Sequence, residues 1–150
     1  MKAVLQRVSR AEVRVDGEVV GRVGLGFLVL LGVAKGDPPG DEALLAKKVA
    51  HLRVFPDEAG KMNRSLLEVG GGALVVSQFT LLADTSRGRR PSFVGAAPPD
   101  EADRRYQAFC AALRAEGVPV ETGRFATSME VELINQGPVT ILLDTRELAS

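Results

Sequence analysis

The pair Asp16-Gly17 places the firmest constraint on this chain. Ahead of it, Val13 and Val15 alternate with Glu12 and Arg14; behind it come Glu18, Val19 and Val20. An Asp-Gly step between alternating segments favours a type I′ turn, because both central residues need positive φ. Ala11–Val20 therefore reads as an antiparallel hairpin. Ala3–Val8, just before it, is rich in β-formers and predicts a first strand. Arg7 lies inside that strand. An arginine in a strand normally points to the wet face, so a surface charge is the default and a site role the alternative.

Phe27-Leu28-Val29-Leu30-Leu31 is a continuous apolar run, as expected of a central strand buried on both faces. The preceding glycines, Gly21, Gly24 and Gly26, have the wrong order for a dinucleotide fingerprint and no helix after them. Asp41 to about Arg53 predicts a helix, with Leu45, Val49 and Leu52 on one face. Gly70-Gly71-Gly72 then breaks the chain, and Ala73–Val76 predicts a short buried strand. A second helix opens at Pro98-Pro99-Asp100, with Ala102, Tyr106, Phe109, Cys110 and Leu113 along one face. It stops at Gly117 and Pro119. Val118–Val120 reads as an edge strand. Met129–Ile134 and Val139–Leu143 read as two strands joined by a hairpin linker, Asn135-Gln136-Gly137-Pro138. About eight strands and two helices inserted singly give an α+β fold. Mostly antiparallel sheets would form an open, barrel-like layer, with both helices packed on one face.

The 150 residues suit a single domain. Composition is ordinary for a soluble globular chain, 45% hydrophobic and 25% charged. No apolar run approaches the roughly 18 residues of a membrane span, and residues 1–7 lack a signal peptide's apolar segment. The single cysteine, Cys110, has no internal disulfide partner. These features point to the cytoplasm and away from a membrane. A net charge of zero argues against a protein that coats nucleic acid and gives no DNA partner, while leaving room to bind the tip of an RNA.

Familiar catalytic sets are missing. His51 is the only histidine, so no Ser-His-Asp set is evident, and with one cysteine no structural zinc site fits. Glu130 and Glu132 fall on the wet face of a strand, without support for a glycosidase pair. No phosphate-cradling loop occurs, and neither metal nor cofactor is expected. What remains is polar punctuation at the end of the Ala73–Val76 strand: Ser77, Gln78 and Thr80 around Phe79. Each hydroxyl or amide needs a partner if buried. They either bond locally at a strand end or form a site that works through main-chain donors and small hydroxyls. Downstream, Arg87-Gly88-Arg89-Arg90 is an exposed basic loop or, alternatively, a phosphate contact. The Gly137-Pro138 step is either a plain turn or a rigid kink whose carbonyls point outward to a ligand.

Ser77-Gln78-Phe79-Thr80-Leu81, together with Asn135 and Gly137-Pro138-Val139-Thr140, resembles the D-aminoacyl-tRNA deacylases, also called D-tyrosyl-tRNA deacylases. The resemblance runs almost end to end. It takes in Arg7-Val8, Val13–Gly17, Gly24–Val33, Met62–Leu66, Gly88–Phe93 and Thr122–Phe125. It implies a homodimeric hydrolase that cleaves the ester between a D-amino acid and the acceptor end of a tRNA, with sites at the subunit interface. Ser77, Gln78, Phe79 and Thr80 would be catalytic, with main-chain N–H groups at Phe79 and Thr80 stabilising the oxyanion and the substrate 2′-hydroxyl assisting. Gly137-Pro138 would be a Gly-cisPro motif that excludes L-amino acids sterically while glycine passes. Asn135, Met129 and Arg7 would support substrate binding, and Arg87, Arg89 and Arg90 would be RNA contacts. The sequence departs from the family pattern at Ala126-Thr127-Ser128 and at Gln136. The rival readings are a non-catalytic module that binds tRNA ends and a purely structural dimerisation domain.

Overall fold

A computed structural model of the chain describes residues 1–149. Eight strands and two helices run in the order β1 (Lys2–Val15), β2 (Glu18–Val23), β3 (Gly26–Gly32), α1 (Asp41–His51), β4 (Phe55–Pro56), β5 (Met62–Arg64), β6 (Gly72–Ser77), α2 (Pro99–Ala115), β7 (Val120–Thr122) and β8 (Glu130–Asp144). The main sheet has the order β2-β1-β3-β6-β7, and β8 lies along β1. Pairs β1–β2, β1–β3 and β1–β8 are antiparallel, whereas β3–β6 and β6–β7 are parallel. The chain crosses between parallel neighbours through α1 and then α2. Strand β2 curls back toward β7, where the Arg22 N–H donates to Glu121 Oε1 at 2.9 Å, so the sheet is a nearly closed barrel. The α+β expectation holds.

Alternation explains how one sheet serves two cores. Phe27, Val29 and Leu31 of β3, with Ala73 and Val75 of β6, face Leu45 and Val49 of α1 and Tyr106, Phe109 and Leu113 of α2. Leu28, Leu74 and Val76 point the other way, into the barrel, and meet Val8, Ala11 and Val13 of β1. Burying side chains of this size stabilises by roughly 1.5–3 kcal/mol each, which makes β3 and β6 the rigid centre. The Tyr106 hydroxyl donates to the Val75 oxygen at 3.0 Å, tying α2 to β6. Arg105 of α2 reaches Glu42 of α1 and the oxygens of Asp37 and Pro38, which fixes the helix pair and the loop before α1.

The turn at Asp16-Gly17 forms as expected, with φ of 50° and 79°. Two sequence expectations are corrected. Ala3–Val8 and Ala11–Val15 are parts of one strand, β1, bent where Ser9 and Arg10 are exposed and the pairing shifts. Met129–Ile134 and Val139–Leu143 are not arms of a hairpin either. Apart from Met129, both belong to β8 and pair with the same strand, β1, on either side of an interruption. Gln6 pairs with Thr140 and Val8 with Asn135, so Arg7 alone faces residues 136–139. The excess residues bulge out of the ladder, because β1 is long enough to hold both halves of β8 in line.

Candidate active site

Strand β6 delivers Ser77 to the end of the barrel wall, where pairing with β3 stops at Leu31–Ser77. The next residue, Gln78, is extended and its N–H donates to the Leu31 oxygen at 2.7 Å. Phe79–Leu82 then closes into one 3₁₀ turn. A helical turn leaves its first N–H groups without intrahelical partners. Among the described residues the N–H groups of Phe79 and Thr80 have no hydrogen-bond acceptor. The Gln78 side-chain amide donates to Thr80 Oγ1 at 3.1 Å, which fixes the hydroxyl beside those two donors.

These residues wall a cavity of about 730 Å³, within the range of small-molecule sites. Ser77, Gln78, Phe79 and Thr80 form one side, and Met129, Phe125, Ala126 and Thr127 form another. Residues 96–99, with Val33, Lys35, Phe93 and Ala102, complete the lining. No histidine, cysteine or carboxylate is among these residues. Met129 serves both the cavity and the barrel core, against which it also packs. A Cβ at Gly123 would stand 2.6 Å from Met129 Sδ, so a side chain there would shift the flexible Met129 side chain. Lining by Lys35, Phe93, Ala96–Pro99, Ala102 and Phe125–Thr127 was not foreseen from the sequence; only their proximity in the fold reveals it.

The remaining candidates lie elsewhere on the chain. Gly137 and Pro138 are exposed, their peptide bond is cis, and neither lines the cavity of its own chain. Arg7 is not a surface charge. It is 9% exposed and sits under the bulge, donating from Nε to the Gln136 oxygen at 3.2 Å and from Nη1 to the Val54 oxygen at 2.7 Å. Asn135 spans the bulge from within: its Oδ1 accepts from the Val139 N–H at 3.2 Å and its Nδ2 donates to Thr140 Oγ1 at 3.0 Å. Arg87, Arg89 and Arg90 are exposed on a loop whose neck is closed by paired bonds between Asp84 and Ser92. The Ser86 hydroxyl and N–H hold the Asp84 carboxyl below its usual range. No acidic partner is found for the three arginines among the described residues.

The side chains that sequence reasoning set aside stay apart from this cavity. His51 is exposed on α1 and lies 3.4 Å from Glu116. Cys110 is buried in the helix-side core, where desolvation pushes its thiol up to about 11. Among the described residues no three His, Cys, Asp or Glu side chains gather as metal ligands, and no helix is long and apolar enough to cross a membrane.

The profile of the D-Tyr-tRNA(Tyr) deacylase family matches residues 4–144. The chain belongs to this family. It is 62% identical over 148 residues to a D-aminoacyl-tRNA deacylase of Anaeromyxobacter dehalogenans, covering 99% of both chains. It is 58% identical to one of Thermus aquaticus, covering 98% of this chain and 97% of that one. Among solved structures, a c-Myc DNA unwinding element binding protein superposes with a TM-score of 0.89 at 39% identity, over 96% of this chain and 98% of that one. A probable eukaryotic D-amino acid tRNA deacylase shares the fold, with a TM-score of 0.82 at 22% identity, over 95% of this chain and 97% of the other. The resemblance drawn from the motifs is thus confirmed at the level of family, and the chain is a hydrolase of the deacylase class.

Proposed function

We propose that the chain hydrolyses the ester of D-aminoacyl-tRNA in the cytoplasm and rejects L-aminoacyl ends by shape. The observation that supports this most is the composition of the cavity: main-chain donors and small hydroxyls, with no histidine, cysteine or carboxylate. Such a site suits an aminoacyl ester, whose own 2′-hydroxyl lowers the barrier. The N–H groups of Phe79 and Thr80 receive the charge that develops on the carbonyl oxygen. One such donor is typically worth about 10²–10³ in kcat. Thr80, held by Gln78, positions water or the 2′-hydroxyl rather than attacking directly, since no histidine or carboxylate lines the cavity to activate it. Ser77 orients the main chain at the strand end.

In this reading the bulge at Gly137-Pro138 works in a second copy. It is exposed, absent from its own cavity, and held by Arg7 and Asn135, which is the arrangement of a probe presented to a partner. In a homodimer it would occupy the space that an L side chain needs, while a glycyl ester would pass. Arg87, Arg89 and Arg90 hold phosphates of the acceptor end.

The test is to incubate D-tyrosyl-tRNA and L-tyrosyl-tRNA with the protein and follow free tyrosine. Release from the D ester alone is expected. Tight, salt-sensitive binding without release would make the chain a binding module, and equal release from both esters would remove the steric account.

A further inference from the structure

Phe79 and Phe93 meet edge to face at the mouth of the cavity, with ring centroids 5.0 Å apart and planes at 72°. Phe79 is unusually accessible for such a ring, and Phe93 is partly so. Phe79 is 57% exposed, Phe93 is half-buried, and the neighbouring Val94 is 75% exposed. Aromatic pairs in cores are covered on all sides, whereas an edge-to-face pair at a surface leaves ring faces for another flat group. This pair is also held firmly. The Phe93 oxygen accepts from the Ala96 N–H at 3.0 Å, the Gly95 oxygen accepts from the Lys35 N–H at 2.9 Å, and the Ala97 N–H donates to the Val33 oxygen at 3.0 Å. The strap carrying Phe93 is therefore stitched to the segment after β3. Just upstream, the Asp84–Ser92 neck carries Arg87, Arg89 and Arg90, exposed and without an acidic partner among the described residues.

A firmly held aromatic face that lines a cavity and directly follows an arginine-bearing loop in the chain suits a single-stranded nucleic-acid track, in which bases stack on rings while cations follow the phosphates. We propose that Phe93, buttressed by Phe79, stacks the unpaired base that precedes the aminoacylated terminal nucleotide. This rests on the reading that the cavity takes the terminal aminoacyl nucleotide. The strand would leave the cavity mouth over Phe93 and reach the arginine loop within the next phosphates. Charge complementarity selects RNA over a protein surface as the occupant, since three exposed arginines with no acidic partner among the described residues lie just upstream of the apolar patch in the chain.

The chain contains no tryptophan, so Phe93→Trp introduces a single indole reporter. Titration with the trinucleotide CCA should quench it, while adenosine alone should not. On full-length D-tyrosyl-tRNA, Phe93→Ala should raise KM by about ten- to hundredfold, the worth of one stacked base, with kcat changed far less. Phe93→Trp should restore KM. The Phe93→Ala penalty should also be smaller on D-tyrosyl-adenosine, which lacks the preceding base. Equal penalties on the two esters, a loss of kcat that tryptophan does not restore, or equal quenching by adenosine would overturn the proposal. An indole signal that responds to protein dilution and ignores CCA would assign the patch to a subunit contact instead. If D-tyrosyl-tRNA is not hydrolysed at all by the unaltered protein, the parent reading falls, whereas CCA quenching reports on the stack independently.

Discussion

Arg7 holds the main-chain oxygen of Gln136, the residue that leads into Gly137-Pro138, and does so from beneath a bulge that it alone faces on β1. A second arm of the same guanidinium bonds Val54 after α1, so one buried side chain ties the bulge to the helical layer. The planar fork of the guanidinium matches two carbonyls set apart in this way.

Arg7→Lys should therefore be costly although charge is kept. A lysine ammonium is a compact point of charge and would leave at least one carbonyl without its donor. A charge-assisted bond is worth roughly 1.5–3 kcal/mol, and urea unfolding should show a loss of that order. Rejection of L-tyrosyl-tRNA should weaken along with it, because the bulge loses its support. A variant as stable and as selective as the parent would show that the bulge holds its shape without Arg7.

Gly137 has φ of 124°, a region that L side chains rarely adopt, and a Cβ there would stand 2.9 Å from Val139 Cγ2 and 3.0 Å from Arg7 Nη2. Gly137→Ala should displace the bulge and disturb Arg7 together. The expected outcome is a change of about tenfold or more in the D/L ratio of kcat/KM for tyrosyl-tRNA, or loss of turnover, matching strain of 1–3 kcal/mol. An unchanged ratio at full activity would count against the steric role.

The main-chain account of catalysis can be separated from the side chains. Gln78 is extended at φ −142° and ψ 90°, outside the helical region that proline disfavours in the residue before it, and Phe79 is the first residue of its 3₁₀ turn. Phe79→Pro therefore fits the backbone and deletes one N–H. Its kcat should fall about 10²–10³ below that of Phe79→Ala, which lacks the ring and keeps the donor. Thr80→Ala should cost less than the loss of the donor. If Thr80→Ala abolished turnover in a folded protein, the hydroxyl would carry the chemistry.

Much of this was readable in the sequence, for local reasons. Phe27–Leu31, Asp16-Gly17 and the apolar face from Ala102 to Leu113 announce themselves through period and turn chemistry. The strand that passes through Gly137-Pro138 did not. Its continuity is imposed by β1, more than 120 residues away in the chain, and a Gly-Pro step read alone looks like a hairpin end. Arg7 was hidden for the same reason: strand position predicts solvent, and only the fold places Val54 and Gln136 around it. The cavity wall from residues 96–99 and 125–127 comes from loops brought together by α2 and β7, with no signature of their own.

The single cysteine offers a check on the helix-side core. Cys110 is fully buried and its thiol is pushed up to about 11 by desolvation. A thiol raised above its ordinary value favours the folded state fully below the unfolded pKa. That advantage is lost as pH rises through the folded pKa. Stability should thus be indifferent to this group below about pH 8.5 and decline toward pH 11. Iodoacetamide at pH 8 should label the protein only as fast as the core opens. Rapid labelling of the folded chain would mean that α2 does not cover the thiol.

A division of the site between two copies makes a stringent demand on mixed subunits. Phe79→Pro damages a cavity and spares the bulge, while Gly137→Ala damages the bulge and spares the cavity. If each bulge serves its partner's cavity, a mixed dimer pairs a sound cavity with a sound bulge at one of its two sites. Equimolar mixing after reversible dissociation puts half of the chains' pairings into mixed dimers, each with one working site. Where Gly137→Ala has lost turnover, D-tyrosyl-tRNA hydrolysis should then recover to roughly a quarter of the unaltered rate. If bulge and cavity act within one chain, every chain in the mixture stays defective and no activity returns. Recovery therefore depends on where Pro138 reaches, and a dimer whose bulges face away from the cavities would give none.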